Sequence, residues 1–377
     1  MKLSIERVAL LKSLSHVQNV VERRSTIPIL SNVKLRASSD RLVMTATDMD
    51  LTLEAHEPAR IDEPGETTVA AHTLFDIVRK LPDGSEVALE IAPPREGVHG
   101  IELTVRAGRS VFNLPCLPSD EFPAMPADGL DVRFEIPAAD LRKLIDKTRF
   151  AVSTEETRYY LNGIHIHAQK EGATSTLRGV ATDGHRLARV EVALPAGAEN
   201  IPAIIVPRKT VGELRKLIDA VEGHVTVDVS DKRIRFLLDS AVLVSRLIEG
   251  TFPDYERVIP AGNDTIAKLD AKPFADAVDR VATISTERAR AVKLHFEEER
   301  VILSAVSAEA GRAVEELDGS LEGKSLEIGF NARYVLDILG EVDGEGVILE
   351  MSNPAAPTLV RDPEDSSTLY VLMPMRV

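Results

Sequence analysis

Apolar residues recur along this chain in two rhythms, one helical and one strand-like, and the order of the rhythms itself repeats. Leu10, Leu14, Val17 and Val21 stand at helical spacing, as do Phe274, Ala277, Val278 and Val281. Alternating segments follow: NVKLRAS, RLVMTAT and LTLEAHE early in the chain, then GIHIHAQ, TLRGVAT and LARVEVA further on. A second helical stripe comes next, at Leu74, Ile77, Val78 and Leu81, at Val211, Leu214, Ile218 and Val221, and at Val335, Ile338, Leu339 and Val342. Turn signals close two of these stripes, Pro82-Asp83-Gly84 and Asp343-Gly344. EVALEIA, IELTVRAG and SVFNLP then read as three more strands. The pattern predicts a unit that opens on a helix and builds antiparallel sheets that two helices cover.

The unit occurs three times. SIERVALLKSL, EIPAADLRKLI and KLDAKPFADAV open the copies around Ile5, Ile136 and Leu269. TTVAAHTLFDIVRKL, AIIVPRKTVGELRKL and LEIGFNARYVLDIL carry the second stripe. Phe122-Pro123 and Phe252-Pro253 close the first two copies, at offsets that agree to within one residue. This period is far longer than the roughly 20–50 residues of a solenoid repeat. Links rich in Pro, Gly and Asp at 123–134 and 260–269 place domains at 1–128, 129–260 and 261–377. The fold class expected is α+β: three like domains, each with two helices and antiparallel sheets.

Composition narrows this further. The 377 residues are 44% hydrophobic and 28% charged, ordinary for a globular protein. No apolar run approaches the ~18 residues of a membrane span, and MKLSIERVALLKSL lacks the apolar stretch of a signal peptide. The single cysteine, Cys116, cannot form an intrachain disulfide, so a cytoplasmic location with no membrane contact is expected. The net charge of −15 counts against nucleic-acid binding. Locally the sign reverses: Arg142, Lys143, Lys147 and Arg149 outnumber Asp146, and Arg208, Lys209, Arg215 and Lys216 outnumber Glu213 and Asp219. These are either solvated helix faces or one basic surface on an otherwise acidic chain.

Enzyme signatures are missing from the sequence, including phosphate-cradling glycine loops and the GxSxG elbow. Asp183 and His185 in ATDGHRLARV could form half of an acid–base pair, which a hydrolase would need. The first copy keeps Thr47-Asp48 without a His, which assigns Thr-Asp to turn architecture and leaves Gly184-His185-Arg186 as a candidate binding segment. His165 and His167 share a strand face; with no third ligand at a fitting spacing, they read as a solvent-facing pair rather than a metal site. Arg158-Tyr159-Tyr160 could stack on bases or pack at a strand edge. The apolar terminus TLYVLMPMRV should be docked, as a closing strand or as a pocket wall that Met373 and Met375 make adaptable. No cofactor and no metal are expected.

Together RSTIPILSN, RYYLNG, ATDGHRLA, VPRK, FPDYERVIP, GFNARYVLDIL and YVLMPMR resemble, in order and over the whole length, the bacterial sliding clamp family, the beta subunit of the DNA polymerase III holoenzyme. The resemblance implies a DNA clamp fold and a ring-forming homodimer, closed head to tail around duplex DNA, that tethers the polymerase and is not an enzyme. Residence then comes from topology, so contacts to DNA can be weak and independent of sequence. Arg24, Tyr159 and Tyr160 match the family's DNA contacts. His72 stands where relatives carry Arg, and Lys209 is a further inner-face candidate.

The resemblance also implies a ring joint and a pocket. Phe112 and Ile284 match apolar interface positions, and Arg106 and Arg109 match basic ones. The acidic partner segment keeps Glu309, Glu315 and Glu316 but has Gly311-Arg312 in its middle. The family's peptide pocket takes short Gln-Leu and Leu-Phe motifs from the polymerase III alpha subunit, the clamp loader delta subunit, other DNA polymerases and repair proteins. It maps to Leu161, Thr182, Gly184, His185, Arg186, Leu187, Pro253, Arg257, Val258, Asn331 and Tyr334, with Val371, Leu372, Met373, Pro374, Met375, Arg376 and Val377. Ala289 and the 353–359 segment depart from some relatives, so motif preference can shift. The alternative is a clamp-fold protein-binding scaffold, or a drug-tolerant paralogue, not loaded on DNA.

Overall fold

The computed structural model describes residues 1–23, 25–92, 100–126, 129–172, 174–285 and 290–376. The chain divides into two compact units. Unit 1 comprises Met1–Ala138, Pro195–Ile201 and Lys209–Leu247, and unit 2 comprises Ala139–Leu194, Pro202–Arg208 and Ile248–Val377. The middle sequence copy therefore contributes to both.

Unit 1 carries one thirteen-stranded sheet. It runs from Val132–Pro137 through His224–Val229, Arg233–Leu238 and Ala241–Arg246 to Leu51–Pro58, Arg41–Thr47, Asn32–Ser38 and Gly65–Ala70. It ends with Ser110–Leu117, Ile101–Ala107, Glu86–Ala92, Lys2–Glu6 and Arg60–Glu63. The middle copy joins this sheet because Ala241–Arg246 pairs antiparallel with Leu51–Pro58. Helix α1 (Arg7–Val20) buries Leu10, Leu14, Val17 and Val20 completely. It packs on α2 (Ala71–Lys80), whose Leu74 and Val78 are equally buried. Each such side chain contributes roughly 1.5–3 kcal/mol by leaving water.

Unit 2 carries a nine-stranded and a four-stranded sheet. The larger runs from Ile204–Pro207 through Gly163–Glu171, Thr174–Thr182 and Arg186–Ala193 to Asp365–Leu372, Thr358–Asp362, Gly346–Met351, Thr265–Asp270 and Ser320–Glu322. The smaller is Gly311–Asp318, Arg300–Ser307, Ala291–Glu297 and Leu326–Asn331. Helix α3 is Ala138–Arg149 and α4, whose residues from Lys209 on belong to unit 1, is Arg208–Ile218. Helices α5 (Ala271–Ala282) and α6 (Ala332–Leu339) pack on each other through stripes that include Phe274, Val278, Val335 and Ile338. The Asn331 side chain caps α6 by accepting from Arg333 N at 3.0 Å, an arrangement worth about 1 kcal/mol.

The alternating segments became the strands expected of them. One expectation is corrected: the copies open on strands, not helices. Ile5, Ile136 and Leu269 lie in Lys2–Glu6, Val132–Pro137 and Thr265–Asp270, each of which runs straight into a helix. The residues ahead of each helical stripe pair in the ladders, and the stripe itself forms the helix that follows. The second helices also end early. Leu81, Val221 and Val342 lie past them, with Leu81 and Val221 still buried.

Candidate functional site

The most organised polar cluster lies in unit 2 on the turn between Thr174–Thr182 and Arg186–Ala193. Thr182 Oγ1 accepts from Gly184 N (3.1 Å) and donates to Arg186 O (2.7 Å). Asp183 Oδ1 accepts from His185 N (2.9 Å) and Arg186 N (3.0 Å). Gly184 has φ +87°, and a Cβ there would sit 2.5 Å from Arg158 Nη1. Glycine adopts that φ without steric cost, and a side chain there would have to push the Arg158 guanidinium aside.

Arg186 follows, and its guanidinium is buried. It donates to Asp183 Oδ2 (3.2 Å), Asp337 Oδ2 (2.5 Å) and Phe150 O (2.6 Å). It also lies 4.5 Å from the Tyr334 ring centroid and 5.1 Å from that of Phe150. Such a planar cation between two rings, with carboxylates at its edge, is held rigidly. His185 stacks on the same Tyr334, with centroids 5.8 Å apart. Burial, followed by the Asp183 charge, pushes the Tyr334 hydroxyl up.

The chain terminus docks here. Met373 N donates to His185 O (2.9 Å) and Met375 N to Gly329 O (2.9 Å), so the run after Leu372 extends the strand across the site. Beneath it, Leu161, Leu187 and Val371 belong to one buried cluster with Val180, Ile205, Phe252, Tyr255, Leu359 and Leu369. Leu372 is buried as well. These four expected pocket residues form the floor's core rather than its open surface. The accessible rim is Pro253, Arg257, Val258, Met373 and Arg376, with Thr182, Pro374 and Met375 half-buried. Asn331 is committed to capping α6. Val377 and Ala289 lie outside the described residues.

Sequence reasoning missed the groups that hold this rim. Arg178 is 1% exposed and donates to Glu191 Oε1 (2.8 Å), Glu256 Oε1 (2.7 Å) and the Tyr255 hydroxyl (3.3 Å). It thereby anchors the 3-10 turn Tyr255–Val258. The reading of His165 and His167 as solvent-facing is corrected. His165 stacks on Phe252 (centroids 4.6 Å, planes 8° apart), and its Nδ1 lies 3.0 Å from Ile204 O. His167 Nε2 meets the Tyr255 hydroxyl at 3.0 Å. Burial, then the neighbouring His167, lowers the His165 pKa to about 4. A strand face that looked polar is covered by the Phe252–Val258 segment, which alternation alone cannot reveal. Among the described residues no cluster of metal-ligating side chains occurs, and no helix is long and apolar enough to cross a membrane.

The other expected residues are dispersed. Tyr159 is 53% exposed, and Tyr160 meets it edge-on while packing against the buried cluster. Both ring nitrogens of His72 are engaged, by Gln18 Oε1 (2.8 Å) and Val21 O (3.3 Å). Lys209 donates to Asp48 Oδ2 (2.5 Å) and Val20 O (2.9 Å), so two of its three ammonium donors are already taken. Lys143 pairs with Asp365 (2.9 Å), and the nearly buried Lys147 with Asp343 (2.7 Å), so these helix charges are not simply solvated. Arg24 lies outside the described residues.

Arg106, Arg109 and Glu309 are exposed, while Phe112 and Ile284 are half-buried. Glu315 is paired with Arg280 of its own chain. Among the described residues, Gly311–Asp318 is a sheet edge, with Val314 at 66% exposure and the neighbouring Val306 at 80%. Among the described residues, Ser110–Leu117 pairs with Gly65–Ala70 only at Cys116 and Leu117, which leaves its first half without a ladder partner on that side.

Comparison with known proteins places this geometry. Models of the N-terminal, central and C-terminal domains of the DNA polymerase III beta subunit match residues 1–126, 135–254 and 256–376. The beta sliding clamp of Caulobacter vibrioides is 53% identical over 379 residues, and that of Escherichia coli K12 36% identical over 380, each over 100% of both chains. A crystal structure of the Caulobacter crescentus clamp with bound PEG superposes at a TM-score of 0.96, with 53% identity, over 100% of this chain and 99% of that one. A Bartonella birtlesii clamp bound to griselimycin superposes at 0.95, with 44% identity, over 100% of both. The chain belongs to the DNA polymerase III beta subunit family, the DNA sliding clamps of the replicative polymerase.

Proposed function

We propose that this sliding clamp works as a ring of two copies closed head to tail around duplex DNA. Its three domains are 1–128, 129–260 and 261–377. It performs no chemistry, and it acts in the cytoplasm, where a lone thiol stays reduced. The observation that carries the ring is the pair of open strand edges, at Ser110–Leu117 and Gly311–Asp318. Such edges invite pairing with another chain. Pairing one with the other of a second copy is heterologous and closes after two. Phe112 and Ile284 supply apolar contact there, with Arg106 and Arg109 facing the acidic stretch around Glu309. The Arg280–Glu315 pair removes one charge from that joint, so apolar contact carries more of it.

DNA contact is weak by construction. Cations such as Lys209, already on carboxylates, exchange partners with phosphates at little gain, which permits sliding. Arg24, His72, Tyr159, Tyr160 and Lys209 are the proposed contacts. The terminus-lined site of unit 2 docks short peptides of the polymerase III alpha subunit, the clamp loader delta subunit and repair proteins. Its half-exposed methionines, His185 and the rigid Tyr334–Arg186 wall suit an apolar peptide with few polar anchors.

The test is retention of loaded protein on circular but not linearised DNA. Loss from both would favour a scaffold that is never loaded. Deleting Met373–Val377 should abolish binding of a Gln-Leu-type peptide while preserving the dimer mass. His185→Ala should weaken that binding without removing any hydrolytic turnover.

A further inference from the structure

Unit 1 repeats the architecture of the terminus-lined site beside a recess that none of the expected site residues lines. Thr47 Oγ1 accepts from Met49 N (3.1 Å) and donates to Leu51 O (3.0 Å), while Asp48 Oδ1 accepts from Asp50 N (3.0 Å) and Leu51 N (2.7 Å). Met49 takes φ +81°, where the other turn has Gly184 at +87°. Arg246 N donates to Asp50 O at 2.8 Å, as Met373 N does to His185 O at 2.9 Å. The Phe-Pro dipeptide recurs too, at Phe122-Pro123 and Phe252-Pro253.

Between these parts lies a recess of about 170 Å³, lined by Met49, Pro123, Ala124, Met125, Arg233 and Arg246 among others. Its wall is apolar, and two methionines let it adapt to an entering side chain. Its rim is cationic. The Arg246 side chain is 64% exposed, and its nearest paired carboxylate, Asp50, is 3.7 Å away, beyond hydrogen-bond range. Arg233 spends one donor on Pro126 O at 2.6 Å, which fixes that loop against the sheet. At the position equivalent to Arg246 the terminus-lined site has Met373, so the two sites select different ligands.

We propose that this recess is a second docking site, for an extended peptide segment bearing an acidic side chain next to an aliphatic one. The aliphatic group enters between Met49 and Met125. The carboxylate meets the Arg246 guanidinium, which offers a planar, two-pronged partner. A nucleic-acid backbone would match the cations but not the apolar wall. The inference goes beyond the docking reading for unit 2 and does not need it, because that site serves only as a control.

The test uses a fluorescein-labelled hexapeptide of alternating Leu and Glu, titrated by anisotropy against the full-length protein. Saturable binding is expected. Arg246→Glu should weaken it by roughly tenfold or more, since repulsion replaces a charge-assisted pair. Arg246 is exposed, so the fold should survive, and an unchanged Tm verifies this. Met49→Gly removes the wall and relaxes the turn, so weaker binding by that variant cannot be ascribed to unfolding. Deleting Met373–Val377 should leave the hexapeptide bound as before. The proposal is overturned if the hexapeptide does not saturate, if Arg246→Glu or Met49→Gly leaves its affinity unchanged, if the deletion abolishes it, or if duplex DNA displaces it.

Discussion

The turns at Thr47–Leu51 and Thr182–Arg186 share their hydrogen-bond skeleton and differ in nearly every side chain that skeleton presents. Met49 stands for Gly184, Asp50 for His185 and Leu51 for Arg186. Leu51 is 2% exposed and simply packs, while Arg186 brings a buried charge that Asp183, Asp337 and two rings must balance. The flanking strands diverge in the same sense. Lys34 occupies the place of His165 and pairs with Glu66 at 3.1 Å, whereas His165 lies under Phe252. Thr and Asp are kept for what they do to the backbone. The residues between and after them decide what each junction binds.

The sharpest way to break this contrast is Arg186→Leu, which imposes the first copy's residue on the second. It should cost unit 2 about 3–5 kcal/mol, because Asp183 and Asp337 lose the cation between them. Urea denaturation measures this, and a loss below about 1 kcal/mol would mean that the pair contributes only surface electrostatics. Next comes the histidine that replaces Lys34. Its folded pKa of about 4 lies below the ordinary 6.5, so the native state resists protonation. Its contribution is full above pH 6.5 and is lost as pH falls toward 4, by up to about 3 kcal/mol. His165→Phe should flatten that part of the stability profile relative to the parent. A parallel profile would refute the burial reading.

Exchanging the turn residues should give a smaller effect. Met49→Gly should raise the stability of unit 1 by about 1 kcal/mol by relieving a left-handed φ. Gly184→Ala should do the reverse in unit 2, where the added Cβ also meets Arg158. Equal and small shifts in thermal midpoint would show that the turns are not under the strain inferred. Smallest is Glu315→Gln. Its partner Arg280 is largely exposed and water screens the pair, so the urea midpoint of unit 2 should not measurably move.

Much of this was legible from residue order. Alternation identified the strands on both sides of each turn, and the repeated Thr-Asp exposed the turn as architecture. The docked terminus followed from its apolar ending, although its neighbours, the ladders from Asp365–Leu372 to Arg186–Ala193 and to Thr358–Asp362, come from the structure. What stayed hidden depends on segments distant in sequence. Arg178 looks like one more strand cation until Tyr255 and Glu256 close over it. Lys209 looks like a free basic group until Asp48 reaches it.

By itself, the sequence determined the local periodicities, the threefold repeat and the membership of a family, because these are properties of order and spacing along one chain. Which charges are spent internally, which histidines are half-buried under a neighbouring segment and where the repeated turn meets a recess were set by the tertiary structure. Those outcomes depend on desolvation and on distances between residues far apart in the chain, and no local pattern encodes either. Met49 and Arg246 are unremarkable as letters. They become a candidate site only because a strand from the middle copy lays Arg246 beside the first copy's turn.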